Sequence, residues 1–166
     1  YYVLVNHKIR HNSKKEADQV KLLLKKHSFS CKIISNKSKI TKNIQSQARD
    51  VRYGILKNFC KKKKVKIIIT AHNLEDQVET FFIRLSRGSG ITGLSGMKTI
   101  SKLDKDISLF RPLLDVKKKT LIKISKKIFG KYFKDPSNKN MKYLRTKIRN
   151  LETPLQRSGV NYDQII

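Results

Sequence analysis

The 166-residue chain has no run of about eighteen apolar residues, the minimum for a membrane-spanning helix. Its opening Tyr1-Tyr2-Val3-Leu4-Val5 is too short, and lacks the basic leader, for a secretion signal. A cytoplasmic protein with no membrane partner is expected. Cysteine is scarce: Cys31 and Cys60 stand far apart without a C-x-x-C spacing, and the four histidines are scattered. Neither a disulfide framework nor a zinc cluster is supported, and reduced, mostly buried thiols are expected. Acidic residues are also few, 12 against 39 lysines and arginines, for a formal charge of +27. Solubility requires far less, so a polyanionic partner, nucleic acid first, accounts for the excess. Some of these lysines fit a solvated surface under compositional bias. Lysine far outnumbers arginine, which favours neutralising an RNA backbone over bidentate reading of bases, and predicts salt-sensitive binding.

What is present alternates between strand and helix. With 38% apolar residues, a chain of this length suggests one core. The first residues read as a strand with no turn or cap before it, so a truncated start is expected. Ser13-Lys14-Lys15-Glu16 reads as a capping box, and Ala17, Val20, Leu24 and His27 predict a helix from about Lys14 to His27. A short strand is expected around Lys32 to Ser35. Ile44, Ala48, Val51 or Arg52, Ile55 and Phe59 then predict a second helix, ending at the run Lys61 to Lys64, which complements its dipole. Lys66-Ile67-Ile68-Ile69-Thr70-Ala71 reads as a strand buried on both faces, as in a parallel sheet between helices. This β-α-β-α-β order predicts a doubly wound, mostly parallel α/β sheet with flanking helices, whose ligands sit beyond the strands' carboxyl ends. After Arg87 come a Gly/Ser segment, a strand near Ile107 to Phe110, and a helix from Val116 to Phe129. Leu121, Ile124 and Ile128 share one face of that helix, and Asp115 is placed to cap it. The expected organisation is a catalytic domain over 1–150 and a helix or linker, interrupted by Pro154 and Gly159, over 151–166.

The densest chemical cluster is Thr70-Ala71-His72-Asn73-Leu74-Glu75-Asp76-Gln77-Val78-Glu79-Thr80, where a strand's end enters a helix. Glu75, Asp76 and Glu79 project from neighbouring faces. Such hard oxygen ligands can hold Mg²⁺ together with substrate phosphates. An equally good reading makes Asn73 an ordinary N-cap answered by Asp76 three residues on. His72, at the ligand-binding edge, is a candidate for contacting phosphate or transferring a proton.

Thr70 to Thr80, followed by Arg84-Leu85-Ser86-Arg87-Gly88-Ser89-Gly90 and Gly93-Leu94-Ser95-Gly96-Met97, closely resembles the central signature of the tRNA(Ile)-lysidine synthetases. Further segments resemble the family in order: Val5 to Arg10 with Ser13 and Glu16-Ala17, Gln45, Ala48-Arg49 and Arg52-Tyr53. Arg111-Pro112-Leu113-Leu114, Asp135-Pro136-Ser137-Asn138, and Arg145 with Ile148-Arg149 complete the series. The resemblance implies a ligase that uses ATP and Mg²⁺ to adenylate the wobble cytidine at its C2 oxygen in a CAU-anticodon tRNA(Ile). Free L-lysine then displaces AMP. It implies that Asp76 serves the metal-phosphate group or the lysine ammonium, with Glu79 and Glu75 beside it and His72 towards ATP.

Arg49, Arg52, Arg111 and His7 are candidates for the nucleotide, with Arg111 projecting from the sheet's functional edge. Arg87, Arg145 and Arg149 are candidates for RNA phosphates, and a homodimer is left open. The chain departs from the family at Lys8-Ile9, where Gly-Leu is frequent, at Glu75, where aspartate is usual, and at Thr146, where asparagine commonly stands. It also contains no Ser-Gly-Gly-x-Asp-Ser phosphate loop, whose place would lie before Tyr1, so the fragment alone is expected to be inactive. Gly88-Ser89-Gly90 follows a helix rather than opening one and reads as its C-terminal stop. Two other functions compete: a tRNA thiolation enzyme of the same ATP pyrophosphatase class, which would need reactive cysteines, and a non-catalytic RNA-binding module.

Overall fold

The computed structural model describes residues 1–37, 40–41, 43–136 and 140–165. It divides into two compact units, where length alone suggested one core: Tyr1–Ile68 with Lys102–Ser108, and Ile69–Ser101 with Leu109–Ile166.

In the first unit, strand β1 (Tyr2–Asn6) pairs in parallel with β2 (Cys31–Ser35), from Tyr2 opposite Cys31 to Asn6 opposite Ser35. Helix α1 (Ser13–Lys26) packs on both strands and α2 (Ile44–Lys63) on β1. The parallel strands and their crossover helix are thus as the sequence pattern requires. The N-terminus of α1 differs from expectation. Asn12, not Ser13, is the N-cap, and no side chain caps the helix. Glu16 instead accepts a hydrogen bond from Arg10 Nη2 at 2.8 Å, an ion pair that outcompetes the reach back to the cap. His27, expected on the apolar face, is the exposed C-cap. Ala17, Cys31, Tyr53, Cys60, Ile68 and Ile107 form the buried core of this unit. Both cysteines are free, and burial pushes both thiols up.

Strands β3 (Ile67–Ile69), β4 (Ile100–Asp104) and β5 (Ile107–Phe110) form a second sheet in the order β3-β5-β4. Ser108 N donates to Lys66 O (2.8 Å) and Thr70 N to Phe110 O (3.0 Å), so β3 and β5 advance together, in parallel. The short Lys105–Asp106 turn makes β4 and β5 an antiparallel hairpin. Burial on both faces of β3 is not found: Ile68 is buried, but Ile67 and Ile69 are 56% and 67% exposed. Alternation along the strand puts them on the opposite face, which stays open.

The second unit carries α3 (Leu74–Leu85), the short α4 (Ile91–Leu94), α5 (Lys118–Phe129), α6 (Leu144–Arg149), α7 (Glu152–Arg157) and a 3-10 turn at Tyr162–Gln164. Leu74, Val78, Leu109, Leu114, Ile148 and Tyr162 are its buried hydrophobic residues. The half-buried face of α5 runs through Leu121, Ile122, Ser125 and Phe129, while Ile124 and Ile128 are exposed. The face read from the sequence is therefore rotated by about one residue, or 100°. No helix among the described residues is long and apolar enough to cross a membrane.

Leu109 is 2% exposed and Ile69 67%. In urea denaturation, Leu109→Ala is expected to lower the unfolding free energy by about 2–5 kcal/mol. Ile69→Thr is expected to change it by no more than about 0.5 kcal/mol.

Candidate active site

The site begins where β3 ends. His72 Nδ1 lies 2.8 Å from Thr70 Oγ1, a contact that orients the imidazole and restricts its tautomer. Asn73 is extended (φ −120°) and caps α3. Its Oδ1 accepts from Asp76 N at 3.0 Å, and Asp76 Oδ2 accepts from Asn73 N at 3.1 Å. The capping box offered as the alternative reading of this segment is therefore present. It also aims the half-buried Asp76 carboxylate at the helix N-terminus, where the macrodipole favours an anion.

Glu75 takes a different direction. Both of its oxygens accept from Lys118 N, at 3.0 and 2.9 Å, so its carboxylate caps α5. This replaces the cap expected from Asp115, which is exposed; the N-cap of α5 is Lys117. The carboxylate expected to share a metal with Asp76 is thus engaged in holding two helix N-termini together.

One turn on, Glu79 is 1% exposed. Its Oε1 accepts from Arg149 Nε at 2.7 Å and also from Arg149 Nη2, joining α3 to α6. Its Oε2 is buried and has no hydrogen-bond partner among the described residues. Burial pushes the carboxyl up; Arg149 opposes this, Asp76 adds to it, and Arg145 opposes it more weakly. Arg149, expected on an RNA phosphate, is therefore engaged with this buried acid, whereas Arg145 on the same helix makes no hydrogen bond or ion pair with it. The reason is energetic: a buried carboxylate demands a cation far more strongly than solvated phosphate rewards one. Arg87 is exposed beyond α3.

Two polar residues missed in the sequence fix the signature loop. Gln77, 5% exposed, donates from Nε2 to Met97 O (2.9 Å) and accepts from Met97 N (2.6 Å). Arg84 Nη1 donates to the carbonyls of Gly93 (2.7 Å) and Gly96 (2.8 Å). Gly96 has φ +71°, and a Cβ there would meet Gln77 Oε1 at 3.0 Å, so glycine answers both the conformation and the close approach. The glycines before and after a helical stretch were the available signal; their latch partners on α3 were not. Gly88 is left-handed (φ +70°), in keeping with a helix stop.

Arg111 does not project from the sheet edge. It is 5% exposed, and its Nη1 donates to Lys98 O (2.7 Å) and Ser101 Oγ (3.1 Å), bracing the entry to β4. Asp135 and Pro136 are exposed, whereas Ser137 and Asn138 lie outside the described residues.

In the first unit, Asn6 Oδ1 accepts from Lys8 N at 2.9 Å, and Lys8 sits at φ +55°. That left-handed turn explains why glycine suits the position. His7 Nδ1 is buried with no hydrogen-bond partner among the described residues. Burial, then the Arg52 charge, hold His7 below the usual imidazole range. The guanidinium carbons of Arg49 and Arg52 lie 5.0 and 5.8 Å from the Tyr53 ring centroid. These arginines form a positive corner beside β1, suited to an anion, with the His7 imidazole favoured in its neutral form beside Arg52.

A family model described as the PP-loop domain matches residues 1–155. The chain belongs to the PP-loop domain family, an α/β fold with parallel strands and flanking helices. It is 44% identical over 149 residues to the tRNA(Ile)-lysidine synthase of Wolbachia pipientis wMel, covering 89% of this chain and 34% of that protein. It is 36% identical over 160 residues to the Anaplasma marginale (strain St. Maries) tRNA(Ile)-lysidine synthase, with 93% and 34% covered. For the enzyme of that name from Campylobacter jejuni (strain RM1221), identity is 38% over 148 residues, with 89% and 45% covered. The chain thus spans about a third to under a half of these curated relatives. Among solved structures, it resembles the U34-tRNA thiolase NcsA from Methanococcus maripaludis with its 4Fe–4S cluster. The TM-score is 0.75 at 18% identity, over 97% of this chain and 57% of that one, a likeness of fold.

Because the Glu79 carboxyl is raised above 4.5, the stability tied to its protonated form is complete below that pH and is lost as pH rises through the folded value. The unfolding free energy of the native chain minus that of Glu79→Gln should therefore decline as pH increases from 4.5. A difference that grows over this range would contradict the burial-dominated shift.

Proposed function

We propose that the chain is catalytic sequence of a tRNA(Ile)-lysidine synthetase, joining L-lysine to C2 of the wobble cytidine in a CAU-anticodon tRNA(Ile) at the expense of ATP. The cytidine C2 oxygen attacks the α-phosphorus of ATP and pyrophosphate leaves; the lysine amine then attacks C2 and AMP leaves. The carrying observation is the acidic end of α3, with Asp76 at its N-terminus, the buried Glu79 one turn on, and His72 braced by Thr70. The relatives' shared name and the +27 charge support the same reading.

Asp76 has a second carboxylate oxygen outside the capping box. Among the described residues no group of three His, Cys, Asp or Glu can hold a metal. One such carboxylate nevertheless fits Mg²⁺, which arrives with substrate phosphates and keeps several waters. When bound, the ion neutralises phosphate charge. The chain's own contribution is to orient and deprotonate: Asp76 attracts the lysine ammonium and accepts its proton before attack, and His72 faces the nucleotide with its ring fixed. In the first unit Arg49 and Arg52 supply positive potential suited to an anion, and in the second Arg87 supplies it for RNA. Arg111 and Glu75 hold the scaffold, and Arg149 holds Glu79, rather than touching ligand, while Arg145 is left for RNA.

The thiolase fold neighbour makes thiolation the natural rival. Thiolation needs reactive thiols, whereas Cys31 and Cys60 are buried with thiols shifted away from the thiolate. Replacing both with serine should leave lysidine formation intact.

The decisive assay incubates the protein in its complete reading frame with CAU-anticodon tRNA, Mg-ATP and labelled lysine, and identifies the wobble nucleoside by mass spectrometry. Lysidine is expected, with Asp76→Asn reducing its rate by about a hundredfold or more. Sulfur incorporation, or tRNA binding without modification, would replace this reading. Transcript affinity should also fall by at least about tenfold between 50 and 200 mM salt, by filter binding.

A further inference from the structure

Helix α5 ends in an aromatic pair set among lysines. From Lys118 to Lys134 the sequence has seven lysines and no acidic residue; Asp135 follows. Gly130, left-handed at φ +71°, closes the helix, its N–H donating to Lys126 O at 3.0 Å. The Ser125 hydroxyl donates to Lys131 O at 2.9 Å, which ties the chain beyond the cap back to the helix. Tyr132 and Phe133 come next. Lys126 Nζ and Lys134 Nζ lie 5.8 and 5.9 Å from the Tyr132 ring centroid, and Lys131 Nζ lies 5.1 Å from that of Phe133, all within cation–π range. Tyr132 is half-buried, whereas Phe133 is 39% exposed and Lys126, Lys127, Lys131 and Lys134 are exposed around it.

We propose that this end of α5 is a docking surface for single-stranded RNA, on which Phe133 stacks against an unpaired base while Lys126, Lys127, Lys131 and Lys134 neutralise the flanking phosphates. The inference rests on the reading of an RNA substrate made above, and adds a surface apart from the acidic end of α3. Phosphates alone would need only the lysines. An exposed ring among them adds what a single strand offers at every step, a base with a π-face beside a phosphate. The C-terminal end of a helix disfavours anions, so here the positive charge has to come from side chains. An anionic lipid surface is the other partner that suits lysines, and Ile124 and Ile128, 47% and 53% exposed, would be its anchors. Each of them stands two positions from Lys126, about 200° around the helix, and so nearly opposite the side on which Lys126 meets Tyr132. A flat bilayer cannot engage both sides, whereas a single strand needs only the aromatic one.

The test uses the protein in its complete reading frame and measures binding of a labelled oligouridylate and of the CAU-anticodon tRNA transcript over a salt series. Phe133→Leu, which keeps the apolar bulk and removes the ring, should weaken both RNAs about tenfold at every salt concentration and leave the salt slope unchanged. Phe133→Trp should bind at least as tightly as the native protein, and its added indole emission should be quenched by RNA. Lys131→Gln should instead flatten the slope by about one. In turnover, Phe133→Leu should raise the KM for tRNA and leave kcat and the KM values for lysine and ATP near native. Unaltered RNA affinity in Phe133→Leu overturns the proposal. Equal losses in Phe133→Leu and Phe133→Trp overturn it in favour of packing. Sedimentation with phosphatidylserine vesicles that Ile124→Ser and Ile128→Ser abolish, with RNA affinity unmoved by Phe133→Leu, overturns it in favour of lipid. Failure of the lysidine reading is separate: the native protein would then make no lysidine, whatever Phe133 does for RNA affinity.

Discussion

The second unit is organised around a buried acid and the arginine that pairs with it. Glu79 lies under α3 with one oxygen held by Arg149 of α6. Removing one partner of such a pair typically costs about 3–5 kcal/mol, because the other is left as an uncompensated buried charge. Replacing both by apolar groups is often neutral, so the pair is poor value as glue alone. What it secures is position. It fixes the angular setting of α3, and with it the direction in which Asp76, one turn earlier, leaves the helix. Gln77 and Arg84, on the same helix, then hold the glycine-bearing loop in the register α3 sets.

Secondary structure was legible wherever apolar spacing and chain direction agree. The β-α-β opening, α2 with its lysine end, and the strand-to-helix passage at Asn73 all follow from periodicity and capping chemistry. The capping box at Ser13 failed because capping is a local competition: Arg10 offers Glu16 a charged partner, and spacing alone cannot register one six residues away. Burial of β3 failed for a related reason. Three isoleucines in succession state that a strand is apolar, not that both faces are covered, and only Ile68 finds a core.

The candidate site was legible as a list and less so as a set of roles. His72, Asp76 and Glu79 share one strand-helix junction, as expected from contiguous sequence. The arginines were harder, since a guanidinium in sequence gives no sign of whether it will meet phosphate or carboxylate. Arg149 meets Glu79, and Arg111 braces backbone.

Glu75 stands where the resembled family usually carries aspartate, and here its carboxylate spans to Lys118 N. An aspartate would be shorter by one C–C bond, about 1.5 Å, and would lose that contact without backbone movement. Lys117, the N-cap of α5, makes no side-chain capping bond of its own. The two positions are consequently a matched pair in evolutionary terms. With the shorter acid, the start of α5 would need a capping side chain of its own at position 117. Covariation between positions 75 and 117 is the trace such a trade would leave.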